Sequence, residues 1–321
     1  MCLYIGNKEG HIAKKDIKCY KLLRKSGKDY ITPSRGWKIE FDIELVPDQK
    51  EPQINNCGYK YSLEGGAIHA FLDTRDNGYG SEGEIFEAII PQGTRFWLQD
   101  DLKQIAAQKI IITRTIAPRK VCVDYLDFLY IAADVRLSDG KREFASEKLN
   151  PKTVIGIYSG NKIVATEVIA KKFCENKRLK STEGIKLCER GDDARADKNG
   201  YQNTQNLRKI SQELPALKHC LEYETPGTSK GDWYLPAEGE LMETFLNLES
   251  INLTLKILGK EIIPYAWFWS STLYSDQYAW YCSSHGTWGY WCCYNVWCND
   301  CVLPFLEPLM KITDGLVGRK G

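Results

Sequence analysis

The sequence lacks any run of 18 apolar residues, which excludes a membrane-spanning helix at the level of composition. The nearest approach, Val121 to Val135, is interrupted by Asp124, Asp127 and Asp134. The opening residues, Met1-Cys2-Leu3-Tyr4-Ile5-Gly6, carry no charged stretch followed by an apolar one, so no classical secretory signal is expected. An excess of one charge is also missing. Lys and Arg number 43 against 42 Asp and Glu, a net charge of +1, which removes a strong electrostatic case for nucleic acid or an acidic membrane as partner. Histidine is scarce: His11, His69, His219 and His285 fall at no metal-ligand spacing, and no Ser-His-Asp arrangement can be read. No period of 20 to 50 residues and no long low-complexity tract occurs.

What remains is a chain of 321 residues, enough for about two domains. A 43% hydrophobic and 26% charged composition is that of an ordinary globular protein. Two features depart from the ordinary. Aromatics reach 12%, with 9 Trp and 18 Tyr, and of 12 cysteines five (Cys282, Cys292, Cys293, Cys298 and Cys301) crowd into one stretch.

Residues 1–116 read as mostly β. Short apolar or alternating segments at 67–72, 85–90 and 109–113 are separated by turn chemistry at Asp76-Asn77-Gly78, Pro91-Gln92-Gly93 and Gln99-Asp100-Asp101. Residues 117–128, with Pro118, read as a linker or first strand, and Tyr125 to Val135 reads as strand. Beyond it, Leu137-Ser138-Asp139-Gly140-Lys141 predicts a hairpin turn, because Asp-Gly supplies the positive φ of a tight turn. Strands are expected at 154–158 and 162–169, joined by Ser159-Gly160-Asn161. Leu207, Ile210, Leu214 and Leu217 recur at helical spacing, with Asn203 and Thr204 as candidate N-caps. Pro236 sits where a second helix would begin, followed by the stripe Leu241, Phe245 and Leu248, extended by Ile251, Leu255 and Leu258. From 265 to about 309 the chain reads as strand and loop.

Residues 274–301, YSDQYAWYCSSHGTWGYWCCYNVWCNDC, contain five Tyr, five Cys and four Trp but no Lys, Arg, Glu, Leu or Ile. A core strand would be rich in Val, Ile and Leu, and a solvated loop would carry charge. Twenty of the 28 residues are Tyr, Ser, Asp, Cys, His, Asn or Gly. Each of these types can be encoded with A or G in the middle of the codon and a pyrimidine last, so each is reachable from an Asn codon by changing its adenines alone. The segment has the composition of an Asn-rich template whose adenines were randomised. Tyr and Trp supply rigid contact area at low entropy cost and Ser, Asn and Gly supply adaptable hydrogen bonds, the composition of antibody paratopes.

Other readings of the same residues stand beside this one. Cys292-Cys293 with Cys298-x-x-Cys301 loosely fits a zinc site, although adjacent cysteines point to opposite faces of an extended chain. Disulfides are a second reading, set against seven further cysteines scattered as small buried residues would be. Trp267, Trp269 and Trp280, beside apolar or small residues, are expected in the core.

Three stretches carry a resemblance: Gly231-Asp232-Trp233-Tyr234-Leu235-Pro236-Ala237-Glu238-Gly239-Glu240-Leu241, Phe268-Trp269-Ser270-Ser271-Thr272 and Ala279-Trp280. In this order the chain resembles the C-type-lectin-fold variable proteins targeted by diversity-generating retroelements. In that family a "WYLPS-x-GEL" helix start and a "YWSST…AW" core strand precede an Asn-derived variable stretch ending in a "VRP" strand. Residues 133–140 and 153–157 resemble the opening of the family's domain, and Asn199-Gly200-Tyr201-Gln202-Asn203-Thr204 its Gly-x-x-Asn-Thr turn. Val302-Leu303-Pro304 departs, with Leu where the family has Arg, and leaves open how the final strand is tied down. Residues 1–116 are similar to N-terminal modules that accompany such proteins in gut bacteria and their phages.

The resemblance implies an α+β chain: a mostly-β accessory domain at 1–116, a C-type-lectin-like domain of two helices, twisted antiparallel sheets and much loop at 129–310, and a tail at 311–321. It implies a hypervariable receptor-binding protein rather than an enzyme, with no cofactor. The expected partner is a protein or glycan receptor on a cell surface; neither nucleic acid nor membrane insertion is expected, and a homo-oligomer is left open. The expected location is a virion tail or a bacterial surface. The variable role carries over to Tyr274, Tyr278, Tyr281, Cys282, Ser284, His285, Tyr290, Cys292, Cys293, Tyr294, Asn295, Cys298, Asn299 and Asp300. Trp288, Trp291 and Trp297 form a second tier, because Trp needs a purine in the third codon position. In an extended strand only alternate members face a ligand.

Two rivals share the fold class. A formylglycine-generating-type cysteine oxidase would use Cys293 and Cys298, yet the window supplies no Lys or Arg to lower a thiol pKa. A calcium-dependent sugar lectin would need clustered oxygens, for which Asp276, Asn295, Asn299 and Asp300 are the candidates, without a recognisable loop pattern.

Overall fold

A computed structural model of the chain describes residues 3–33, 36–47, 52–57, 60–75, 83–182, 185–285 and 293–308. The chain forms two compact units, 1–128 and 129–321, sheet-rich with a few short helices.

In the first unit a three-stranded sheet runs in the order Leu3–Ile5, Lys60–Gly65, Gln53–Cys57. A nine-stranded sheet is built around Ile17–Ser26, paired antiparallel with Glu84–Ile90, which in turn pairs with Ile110–Ile116. Inward residues of Glu84–Ile90 such as Phe86, Ala88 and Ile90 are buried, the period-2 pattern of a strand with one face in a core. The pair Lys60–Asp100 is fully buried at 2.5 Å, each charge satisfying the other away from water.

Residues 117–123, part of the 117–128 stretch expected as linker or first strand, belong to this unit. The Ala117 N–H donates to the Ile85 carbonyl at 2.7 Å, Thr74 to Val121 at 2.8 Å and Val123 to Leu72 at 2.8 Å. Tyr125–Ile131 is a 3-10 helix, not the expected strand. The Asp124 carboxylate accepts from the Leu126 N–H at 2.9 Å, and the Asp124 carbonyl from the Asp127 N–H at 3.2 Å. The side chain thus captures the backbone into a turn before a ladder can form.

The second unit holds strands β1 (Val135–Leu137), β2 (Arg142–Glu143), β3 (Val154–Ser159), β4 (Lys162–Val164), β5 (Ile169–Lys172), β6 (Trp233–Tyr234), β7 (Trp267–Leu273), β8 (Tyr278–Ser283), β9 (Cys293–Asn295), β10 (Asn299–Val302) and β11 (Phe305–Leu306). Its helices are α1 (Gly191–Ala196), α2 (Gly200–Leu207), α3 (Pro215–Glu222), α4 (Glu238–Leu246) and α5 (Leu248–Ile257). One sheet runs β2-β1-β3-β4-β11-β6, so strands from both ends of the unit share it; the other runs β5-β10-β7-β8-β9. All pairings in the two sheets are antiparallel except β7–β10.

The β1–β2 hairpin turns at the expected Asp-Gly: Gly140 has φ +88°, and the Asp139 carboxylate accepts from the Lys141 N–H at 3.0 Å. The single helix expected around Leu207 to Leu217 is instead α2, a 3-10 turn over Arg208–Glu213, and α3. Pro215 keeps the preceding Leu214 out of helical conformation (φ −117°, ψ 82°), which breaks the helix while leaving Leu207, Leu214 and Leu217 in one buried cluster. Asn203 and Thr204 lie inside α2 rather than capping it. Thr204 Oγ1 clamps Leu235, accepting from its N–H at 3.0 Å and donating to its carbonyl at 3.2 Å. The second expected helix divides at Asn247 into α4 and α5, whose stripe from Leu241 to Leu258 is buried.

The final strand is tied down without the family's arginine. Lys162 of β4 pairs with Glu307 just after β11 and with buried Glu240 of α4 at 2.9 Å. The Tyr234 hydroxyl lies 3.2 Å from a carboxylate oxygen of each. Glu240 also reaches back to accept from the Ala237 N–H at 2.9 Å, capping α4. Gly200 makes room for this: a Cβ there would come within 2.2 Å of the Glu240 carboxylate.

Candidate ligand-binding surface

Strands β7 and β8 form the frame. Trp269 is fully buried, with its indole N–H donating to the Lys171 carbonyl at 3.0 Å; Trp280 is 5% exposed and donates to the Cys188 carbonyl at 2.8 Å. Ser270, Ser271 and Thr272 are buried as well. Ser270 Oγ donates to the Trp280 carbonyl at 2.8 Å, and Thr272 Oγ1 donates to Asp197 at 2.7 Å while accepting from the Glu238 N–H at 3.1 Å. Asp197 further accepts from the backbone and side-chain N–H groups of Asn199 and from Asn203, so a single buried carboxylate ties the 197–203 turn to β7. Trp267 is half-buried rather than fully enclosed.

Within 274–300 the predicted residues divide. Two belong to the frame: Cys282 is 2% exposed and Ser284 is 0% exposed. Ser284 Oγ lies 2.8 Å from the Pro264 carbonyl and accepts from the Ala266 N–H at 2.9 Å. Their side chains cannot meet a ligand on the folded protein, and both leave the candidate surface. Tyr281 is half-buried against Trp267, ring centroids 4.4 Å apart, and borders the core. His285 is half-buried with its ring 4.1 Å from that of Tyr265.

Tyr274 and Tyr278 are half-buried and meet edge-on at 6.3 Å at the turn joining β7 to β8. Asn295, Cys298 and Asp300 are half-buried, Asn299 is exposed, and Trp297 is 44% exposed. Trp288, Tyr290, Trp291 and Cys292 lie outside the described residues. Of Cys293 and Tyr294 only the backbone is described, in β9 opposite Trp280 and Ala279.

The exposure of Trp297 has a local cause. Its neighbour Val296 is fully buried, donates its N–H to the Gln277 carbonyl at 3.1 Å, and accepts from the Cys174 N–H at 2.6 Å. The Cys298 N–H then closes a turn onto the Asn295 carbonyl at 2.9 Å. With Val296 pinned inward on both sides, the next side chain in the turn faces outward.

Trp297, Cys298, Asn299 and Asp300 line an open pocket of about 720 Å³ together with Lys172, Glu175 and Lys177. The last three were not among the sequence candidates. They lie more than a hundred residues away and look like an ordinary solvated charge run; the β5–β10 pairing and the Cys174–Val296 hydrogen bond bring them here. Asp300 Oδ2 is buried without a hydrogen-bond partner, and burial pushes the Asp300 carboxyl above its ordinary range. Burial likewise pushes the Cys301 thiol up, the opposite of the activation a nucleophilic cysteine needs. Cys301 is a free thiol. Asp276 is held by Arg178 at 3.0 Å. Among the described residues no three His, Cys, Asp or Glu side chains are grouped so as to hold a metal ion, and no helix is long and apolar enough to cross a membrane.

No protein-family model matches the chain, and no curated protein matches it. Among solved structures it is similar to a fimbrial protein from Bacteroides ovatus ATCC 8483, at 14% identity and a TM-score of 0.44. That alignment covers 92% of this chain and 65% of the other, so the chain spans about two-thirds of the length of the structure it matches.

Proposed function

We propose that residues 274–300 form a diversified ligand-binding surface carried by a C-type-lectin-like scaffold, and that the protein attaches a phage or bacterial surface to a receptor. The observation that carries this reading is a division of labour inside one aromatic-rich stretch. Residues shared with the resembling family, such as Trp269, Ser270, Thr272 and Trp280, are buried and hydrogen-bonded. Tyr278, Trp297 and Asn299, whose types no core position demands, lie at or near the surface. Strands from both ends of the unit meeting in one sheet, and a second sheet carrying the candidate surface, support the scaffold assignment. A binding role needs no cofactor, and the surface groups, aromatic faces ringed by amides and hydroxyls, suit recognition better than turnover.

The test is genetic. The DNA for 270–304 should have a near-copy beside a reverse transcriptase gene, with adenines wherever the coding copy differs. Codons for Tyr274, Tyr278, Asn295 and Asn299 should then align with Asn codons in that copy. The codon for the buried Trp280 should be identical in both. Differences spread over the frame codons, or at bases other than adenine, would contradict the proposal.

A further inference from the structure

The geometry points to the class of ligand: the pocket at Trp297 binds a neutral pyranose sugar directly, without a bridging metal. The inference rests on the surface reading above and narrows it. A pyranose presents an apolar face of C–H groups and a rim of hydroxyls, each of which both donates and accepts. The pocket is complementary in both respects. Of the described tryptophans Trp297 alone is exposed, offering one flat apolar face.

Around it stand donors only (Lys172 and Lys177), acceptors only (Glu175 and Asp300) and Asn299, which is both. A ring of hydroxyls can satisfy all three kinds, whereas a hydrocarbon cannot. Formal charges in the lining cancel, two ammonium groups against two carboxylates, which disfavours a strongly ionic ligand. A protein hot spot would be a closed, desolvated hydrophobic pocket. Here five of the seven lining residues are polar or charged and the pocket is open, so a protein anchor has little to fill.

Direct recognition follows from the lining: its carboxylates are Glu175 and Asp300, and among the described residues no three His, Cys, Asp or Glu side chains are grouped so as to hold a metal ion.

The experiment uses the full chain on immobilised oligosaccharides of defined terminus, neutral (glucose, galactose, mannose, N-acetylglucosamine) and acidic (sialic acid, uronic acid), in the presence of EDTA. At least one neutral terminus is expected to bind and to survive the chelator. Trp297→Ala should weaken that binding at least about tenfold with an unchanged melting temperature, Trp297→Phe should retain part of it, and Asn299→Ala should weaken it severalfold. Binding confined to acidic termini, abolished by EDTA or indifferent to Trp297→Ala would overturn the inference, as would no binding at millimolar free sugar. The two readings fail separately. Attachment to receptor-bearing cells that is lost in Trp297→Ala without any sugar binding would remove the sugar and leave the variable surface standing. Sugar binding through Trp297 with no adenine-diverged DNA copy would do the reverse.

Discussion

Trp269 and Trp297 belong to the same five-stranded sheet region and meet opposite fates. Trp269, in the central strand β7, is fully buried, bonded through its indole to Lys171 and packed 5.5 Å from Phe173. Trp297, in the turn between β9 and β10, is 44% exposed because Val296 before it is locked inward. Residue type alone does not separate frame from surface in this segment; the hydrogen-bonding obligations of the neighbours do.

The contrast can be broken most forcefully at the buried end. Trp269→Ala removes a filled core position and an indole hydrogen bond and should cost about 3–5 kcal/mol, read by chemical denaturation. A loss under about 1 kcal/mol would show that β7 is not the frame.

A second test uses pH. Glu238, at the start of α4, is buried, its Oε2 has no partner, and burial pushes its carboxyl up to about 8 from an ordinary 4.5. The nearby Arg195 offsets this only in part. Between those values the unfolded chain has released the proton that the folded chain keeps. Stability conferred by the protonated form is therefore lost as pH rises from about 4.5 to about 8, and the curve levels beyond. The slope is at most about 1.4 kcal/mol per pH unit. Glu238→Gln should match the parent near pH 4 and exceed it above pH 8; a stability difference constant with pH would mean that Glu238 has no raised pKa.

Ser284→Ala sharpens the comparison from within the variable-looking stretch. It strips a buried partner from Ala266 and Pro264 and should cost about 1–3 kcal/mol, whereas a surface serine would cost almost nothing. The smallest effect belongs to Trp297→Ala, expected to lie within about 0.5 kcal/mol of the parent in equilibrium unfolding. A larger loss would place its ring in the core.

The same contrast marks how far the sequence could be read. The Asp-Gly turn announced the β1–β2 hairpin and the apolar run at 154–158 announced β3, whereas the strand expected over 162–169 pairs as one only at Lys162–Val164, and the apolar stripe of α4 and α5 announced a helical layer. Tyr125–Ile131 was not legible as a 3-10 helix, because its apolar content suits a strand and the decision rests on one Asp124 side-chain bond. The break at Pro215 was written in the sequence, since the residue before proline is driven out of helical conformation. In the candidate site, composition singled out the segment but could not sort it. Cys282 and Ser284 have the same codon property as Tyr278 and Asn299, yet both are buried, Ser284 through its bonds to Pro264 and Ala266. Lys172, Glu175 and Lys177 were beyond reach altogether, because non-local contacts, the pairing of β5 with β10 and the Cys174–Val296 hydrogen bond, carry them to Trp297.

The central claim is that this surface can change while the frame cannot. Its most direct measurement is the melting temperature of a triple variant, Tyr278→Ser, Trp297→Ser and Asn299→Ser, in the full chain. If these side chains are surface, the three together should move the midpoint by no more than about 4 °C. A drop of about 10 °C or more, or loss of the folded state, would show that folding fixes their identities and would contradict the account.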